Sequence, residues 1–213
     1  MPRLYLFTPL LADPAAFLPS LERALPAADV AAVLLRLADA DERALINRIK
    51  SVAAVVQRRD IALLVDGRPE LVARAAADGA HLTGIAALRA ALPALKPDRI
   101  AGAGGLRSRD DAMLAGETEA DYVMFGEPEG GGRGGEHRGG KSPPFAAIEE
   151  RVAWWAELFQ PPCIGYAASA DQIRPLVEAG ADFVALGEWI WSEEGGAERI
   201  LAAAGASLAA AAG

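Results

Sequence analysis

The 213-residue chain predicts a single α/β domain, one (β/α)8 TIM barrel spanning residues 1–213, and three observations carry that prediction. Short apolar runs alternate with longer Ala/Leu/charged stretches of helical spacing, the pattern of buried parallel strands each followed by a helix. Eight such units fit a length close to the ~200-residue lower edge for a closed barrel. No long linker interrupts them, so there is little room for a second domain. An open doubly wound sheet would use fewer strands, and the eight repeats favour closure.

Taken in order, Arg3 to Phe7 is the first strand and Pro14 to Leu25 the first helix, with Phe17, Leu18, Leu21 and Leu25 on one face. Val30 to Leu35 follows, then a helix over Asp41 to Gln57 in which Leu45, Ile49, Val52 and Val56 share a face. Ile61 to Val65 is the third strand, and Pro69 to Ala77 is a short helix whose proline sits where no amide donor is needed. Gly79 to Leu82, Arg99 to Ala103 and Asp121 to Phe125 supply the next three strands. Between them lie helices at Ile85 to Leu92 and at Ser108 to Ala115, with Ser108 as cap. The helix Phe145 to Phe159 leads to the strand Pro162 to Gly165, and the helix Asp171 to Glu178 to the strand Asp182 to Leu186. An Ala-rich helix from Gly196 to Ala210 closes the chain. The matching pieces Ala77-Asp78-Gly79-Ala80 and Ala179-Gly180-Ala181-Asp182 each read as a helix ended by glycine with a buried strand close behind.

Composition narrows the function classes. A formal charge of −8 and 52% hydrophobic content describe an acidic globular protein, which disfavours nucleic acid and anionic membranes as partners. A small phosphorylated ligand is compatible, because a few arginines and helix N-termini make a local cationic site. The single cysteine, Cys163, rules out an intramolecular disulfide, and no run reaches the ~20 apolar residues of a membrane span. The expected location is cytoplasmic, and homo-oligomerisation is left open.

If chemistry sits at the C-terminal strand ends, Arg36, Asp66, His81 with Thr83, Gly104, Glu127, Tyr166 to Ser169 and Gly187 to Trp189 converge on one mouth. Arg36 suits bidentate anion recognition, or else an ion pair with Asp66 or Asp39. Asp66 is a metal ligand or a structural acceptor. His81, inside an apolar run, is a rim contact or a packed core group. Glu127 is a carboxyl group that desolvation would tune for acid/base work. Gly165, Ser169 and Gly187 occupy the loops where barrels commonly bind phosphate, although Glu188 beside them would repel it. Trp189 and Trp191 suit stacking on a ligand, a subunit interface or core packing. The glycine-rich stretch 130–140 reads as a flexible loop, with Arg133, Arg138 and Lys141 available to fold over an anion.

The order and spacing of several pieces resemble the thiamine phosphate synthase family, including its TenI-like thiazole tautomerase branch. The pieces are Leu4-Tyr5-Leu6, Leu34-Leu35-Arg36, Val65-Asp66, Ala77-Asp78-Gly79-Ala80-His81-Leu82, Ala120-Asp121-Tyr122-Val123-Met124-Phe125-Gly126, Ile164-Gly165 and Ala179-Gly180-Ala181-Asp182. The resemblance implies a transferase of thiamine biosynthesis that joins a pyrimidine diphosphate to a thiazole phosphate with Mg2+ and releases pyrophosphate. It makes Arg36 the pyrimidine-side arginine and Asp66 one of two metal-binding aspartates. The second metal position falls at Ala86, the lysine expected just after Arg36 is replaced by Leu37-Ala38, the serine after the fifth strand is Gly104, and the second glycine of the phosphate loop is Tyr166. These departures describe a diverged site, active or not. The alternatives are a TenI-like metal-free thiazole tautomerase using Glu127, where the branch has a histidine, and a non-catalytic phosphate-ligand sensor.

Overall fold

Strand-forming runs of Val, Leu and Ala, too apolar to face water on either side, close on one another and are covered by the apolar faces of the intervening helices. The computed structural model describes residues 1–128, 143–192 and 196–211. In chain order they form β1 (Arg3–Leu11), α1 (Leu18–Ala24), β2 (Val30–Leu37), α2 (Glu42–Val56), β3 (Ala62–Asp66), α3 (Pro69–Ala75), β4 (Gly79–Thr83) and α4 (Ile85–Leu95). These are followed by β5 (Ile100–Gly104), α5 (Arg109–Gly116), β6 (Tyr122–Phe125), α6 (Phe145–Leu158), β7 (Cys163–Ala167), α7 (Ile173–Glu178), β8 (Phe183–Leu186) and α8 (Gly196–Ala211). The eight strands are parallel and close in sequence order, β8 pairing with β1.

All of the strands and helices expected from the sequence are present, with shifted ends. Among the shifts, β1 lengthens to Leu11, past a register irregularity between Phe7 and Leu10, α4 to Leu95 and β2 to Leu37. The Pro14 segment is turn rather than regular helix until Leu18. Two caps match the sequence chemistry. Asp41 accepts the Ala44 N–H at the head of α2, and Ser108 forms a reciprocal capping box with Asp111 at α5. The glycine stop holds for only one of the two matching pieces. Gly180 takes φ +95° after α7, whereas α3 is ended by Ala76 at φ 56° and Gly79 lies within β4.

Two cores result. Tyr5, Leu34, Leu64, Met124, Ile164 and Ala185 are among the residues filling the barrel interior. A larger layer, with Trp155 at its largest, packs between sheet and helices. The N-terminal rim is laced by three aspartates, each placed immediately before an even-numbered strand. Asp78 Oδ2 accepts the Leu63 N–H at 2.7 Å, Asp121 Oδ2 the Ala101 N–H at 2.7 Å, and Asp182 Oδ2 the Cys163 N–H at 2.8 Å. Each aspartate's own N–H returns to the same partner's carbonyl. The repeated Ala-Asp signature is thus a clasp between neighbouring strands, at the face of the barrel that serves stability rather than chemistry.

Candidate active site at the C-terminal mouth

Side chains alternate in and out along a strand, so the inward register of the barrel decides which residues reach the mouth. Ala32 and Leu34 point inward on β2, which brings Arg36 to the inner rim, and Leu64 on β3 does the same for Asp66. On β4, His81 and Thr83 are both buried. With Glu127 two residues beyond β6, the structure gathers Arg36, Asp66, His81 and Glu127 at one end of the barrel.

Arg36 is held from behind. Thr8, fully buried at the irregularity in β1, accepts the Arg36 N–H on its hydroxyl at 3.0 Å. The guanidinium is only 12% exposed, and its Nη1 lies 3.6 Å from Glu188 Oε2, too far for a hydrogen bond. That buried Nη1 makes no hydrogen bond within the protein, and neither does the buried Thr83 Oγ1. Buried donors left in this state point to a ligand or ordered water as partner. The carboxylate beside Arg36 is Glu188, and Asp39 instead accepts from Arg68 at 2.7 Å.

His81 belongs to a buried polar chain absent from the sequence reading. Its Nδ1 is 2.8 Å from the Tyr122 hydroxyl, which is 2.9 Å from the Tyr5 hydroxyl. Burial pushes His81 down to about 4, so its imidazole is neutral at pH 7. Burial raises both tyrosines, with Asp66 adding to the effect, so both remain phenols. Tyr5 and Tyr122 stood in the sequence as strand residues. The one signal that could have flagged them is that both fall on inward positions of an otherwise apolar barrel.

The glycines of the mouth serve different ends from those expected. A Cβ on Gly104 would lie 2.4 Å from His81 Nε2 and 2.6 Å from Glu127 Oε1, so its inner face is already covered by those two groups. Those atoms are no farther apart than the sum of the two distances. Gly126 at φ +81° makes the turn that returns Glu127 toward β5. Gly165 is not at the rim, because β7 continues to Ala167 and the Gly165 Cα faces Leu176 in the helical layer. Gly187 has its inner face filled by the Tyr166 hydroxyl, 2.1 Å from where a Cβ would stand. Ser169 heads a short 3-10 turn and makes no side-chain capping bond. Trp189 and Trp191 are partly buried and tie the rim together, donating to the carbonyls of Ala167 at 3.0 Å and Phe7 at 2.7 Å. The stretch 130–140, with Arg133, Arg138 and Lys141, lies outside the described residues.

Of the two carboxylate positions that the family resemblance assigns to Mg2+, the mouth keeps one, Asp66 at the end of β3. Such ions are held by one or two carboxylates together with phosphates and waters. Among the described residues no group of three or more His, Cys, Asp or Glu side chains could hold a metal ion, and Ala86, the second expected position, carries no donor.

Fold and site together define a closed (β/α)8 barrel with polar side chains gathered at its C-terminal mouth. The family model for thiamine monophosphate synthase matches residues 4–190, and the chain belongs to that family. It is 39% identical over 198 residues to a thiamine-phosphate synthase of Rhodospirillum centenum, covering 91% of each chain. It is 36% identical to one of Hyphomonas neptunium, covering 91% of this chain and 88% of the relative. Among solved structures, the thiamine phosphate pyrophosphorylase of Pyrococcus furiosus superposes with a TM-score of 0.76 at 21% identity, over 99% of this chain and 97% of that one. That likeness bears on the fold alone. No helix among the described residues is long and apolar enough to cross a membrane.

Proposed function

We propose that this chain acts in thiamine biosynthesis, in the cytoplasm, joining a pyrimidine diphosphate to a thiazole phosphate at the C-terminal mouth of the barrel. Membership in a family whose curated relatives, at 33–39% identity, are named thiamine-phosphate synthases carries the reading. The chemistry is an alkyl transfer. The thiazole ring nitrogen gives its electron pair to the pyrimidine-side carbon that bears the diphosphate, and the C–O bond breaks with its pair leaving on pyrophosphate. The protein's part is to hold the two heterocycles in contact and to place positive charge where the leaving group develops negative charge. Arg36 supplies that charge, with a buried donor still unspent. The phenols and neutral imidazole of the Tyr5, Tyr122 and His81 chain give the barrel floor polarity without charge. The test is product formation from the pyrimidine diphosphate and a thiazole acceptor, with Mg2+ supplied, followed by pyrophosphate release. No coupled product with either the phosphorylated or the unphosphorylated acceptor, at high protein concentration, rejects the reading.

A second reading rests on one observation, the approach of His81 Nε2 and Glu127 Oε1 over Gly104. A carboxyl group close beside a neutral imidazole can move a proton on a bound thiazole without metal. Under this reading, Glu127→Gln abolishes thiazole isomerisation and leaves thiazole binding nearly intact.

A further inference from the structure

In a barrel the helix that follows each strand runs back down the outside, so its N-terminal amides face the C-terminal mouth. The first amides of a helix have no carbonyl within the helix to bond, and the aligned peptide dipoles add partial positive charge there. At α2 and α5 the chain satisfies its own helix heads, through Asp41 and through the capping box of Ser108 with Asp111, and both first turns carry acidic residues. At the head of α4 no side chain among the described residues forms a cap, and the first turn, Ile85-Ala86-Ala87, holds no acidic residue. Ala86 is exposed and too small to cover the amides. The N-cap, Gly84 at φ +87°, has open space where a Cβ would stand. A second observation comes from the side chain just before that cap. Thr83 shares the inward register of His81 and is 6% exposed, and its buried hydroxyl makes no hydrogen bond. Its methyl group packs toward Gly105, where a Cβ would approach within 2.6 Å. An uncapped helix head with an unspent hydroxyl on its inner side is a set of donors without an acceptor, the arrangement that receives an oxyanion.

We infer that the head of α4 and the Thr83 hydroxyl form a phosphate-binding subsite, which takes one phosphate of a diphosphate directly on backbone amides while Arg36 takes the other. The inference deepens the synthase reading and rests on it for the identity of the anion. Arg36 lies near the end of β2 and Thr83 ends β4, with β3 between them. Neighbouring strands about 4.8 Å apart put the two backbones at most roughly 10 Å from each other, a gap that the long Arg36 side chain and two linked phosphates span from opposite ends. The Arg36 guanidinium still has a buried Nη1 to give. Asp66, on the intervening strand, pairs in register with His81 and so lies one inward layer below Thr83, beneath the subsite rather than in it. What the subsite contributes is a fixed array of N–H donors that need not reorganise as negative charge moves onto the departing pyrophosphate.

Calorimetry with inorganic pyrophosphate on the full-length protein, in EDTA so that no metal bridges the anion, tests the inference. The unchanged protein binds pyrophosphate, and does so more tightly than inorganic phosphate, which cannot reach both ends. Ala86→Asp puts a carboxylate at the head of α4, where it favours the helix and opposes the anion, and weakens pyrophosphate roughly tenfold with no loss of thermal stability. Ala86→Asn, of the same shape without the charge, stays within about twofold of the unchanged protein. Thr83→Val keeps the shape, removes the hydroxyl and weakens pyrophosphate roughly tenfold. Because that hydroxyl has no partner in the protein, Thr83→Val is at least as stable as the parent, which separates a lost ligand contact from a lost fold contact. No pyrophosphate binding in EDTA, affinity no greater than for phosphate, or binding that either Ala86→Asp or Thr83→Val leaves unchanged overturns the inference. If the affinities fall as stated and no coupled product forms, the synthase reading fails and the α4 subsite stands.

Discussion

The Tyr122 hydroxyl meets His81 Nδ1 at 2.8 Å inside the closed barrel, where burial disfavours the protonated imidazole. The folded-state value near 4 lies below the ordinary value of 6.5 because burial penalises the cation. Above pH 6.5 both folded and unfolded chains carry a neutral ring, and the group adds nothing to the pH dependence. As pH falls from 6.5 toward 4 the unfolded chain gains a proton that the native state refuses, and stability is lost by up to about 3 kcal/mol. Denaturant unfolding across that window is expected to show a shallower loss in His81→Gln than in the unchanged protein. Parallel curves would mean that His81 titrates freely in the folded barrel.

The same tyrosine fixes a size constraint on the neighbouring strand. Gly102 pairs in register with Tyr122, and a Cβ there would fall 1.9 Å from the Tyr122 ring carbon Cζ. Gly102→Ala is expected to cost about 1–3 kcal/mol by overpacking. Tyr122→Ala opens the space, so the double variant should be less destabilised than the two single losses combined. Strict additivity in thermal or chemical unfolding would show that ring and glycine do not contend for one volume.

Periodicity made the barrel legible because each element's burial is local information: Leu45, Ile49, Val52 and Val56 on α2 declare their buried face without reference to anything else. The rim was legible only as a set of strand ends, and errors there followed from strand length. Reading β7 as ending at Gly165 rather than Ala167 put a helix-facing glycine in a phosphate site. The contacts that decide the mouth join residues far apart in sequence, Tyr5 with Tyr122 and Arg36 with Glu188, and no local pattern encodes which inward residue meets which.

The aspartate clasps at the opposite rim give a prediction that separates stability from ligand binding. Asp78→Ala strands the Leu63 N–H, and Asp182→Ala strands the Cys163 N–H, each expected to cost about 1–3 kcal/mol. Ligand affinity at the mouth should not change in either variant at temperatures where it is fully folded. Asp182→Ala has a further readout, since Cys163 is buried beside that carboxylate, and burial with Asp182 pushes its thiol up to about 12. Thiol labelling near pH 8 should be negligible in the unchanged protein and faster in the variant, in proportion to its lost stability. Rapid labelling of the unchanged protein would contradict the burial on which the clasp depends.

Arg36 carries the strongest expectation for the mouth. Its N–H is fixed by Thr8 and its head group is nearly buried, so the guanidinium has a set position whether or not an anion is present. Arg36→Met keeps much of the stem's volume and leaves Glu188 exposed to water, and the fold should lose little. What it removes is a pre-placed charge-assisted donor, worth about 1.5–3 kcal/mol, or roughly 10- to 100-fold in affinity for inorganic pyrophosphate. Arg36→Lys should recover only part of that affinity, because an ammonium presents a point charge where the guanidinium offers a planar fork. Calorimetry with pyrophosphate on the three proteins distinguishes the cases. Equal binding by the unchanged protein and Arg36→Met would move the anion elsewhere on the rim, and would leave the buried Nη1 to be satisfied by water.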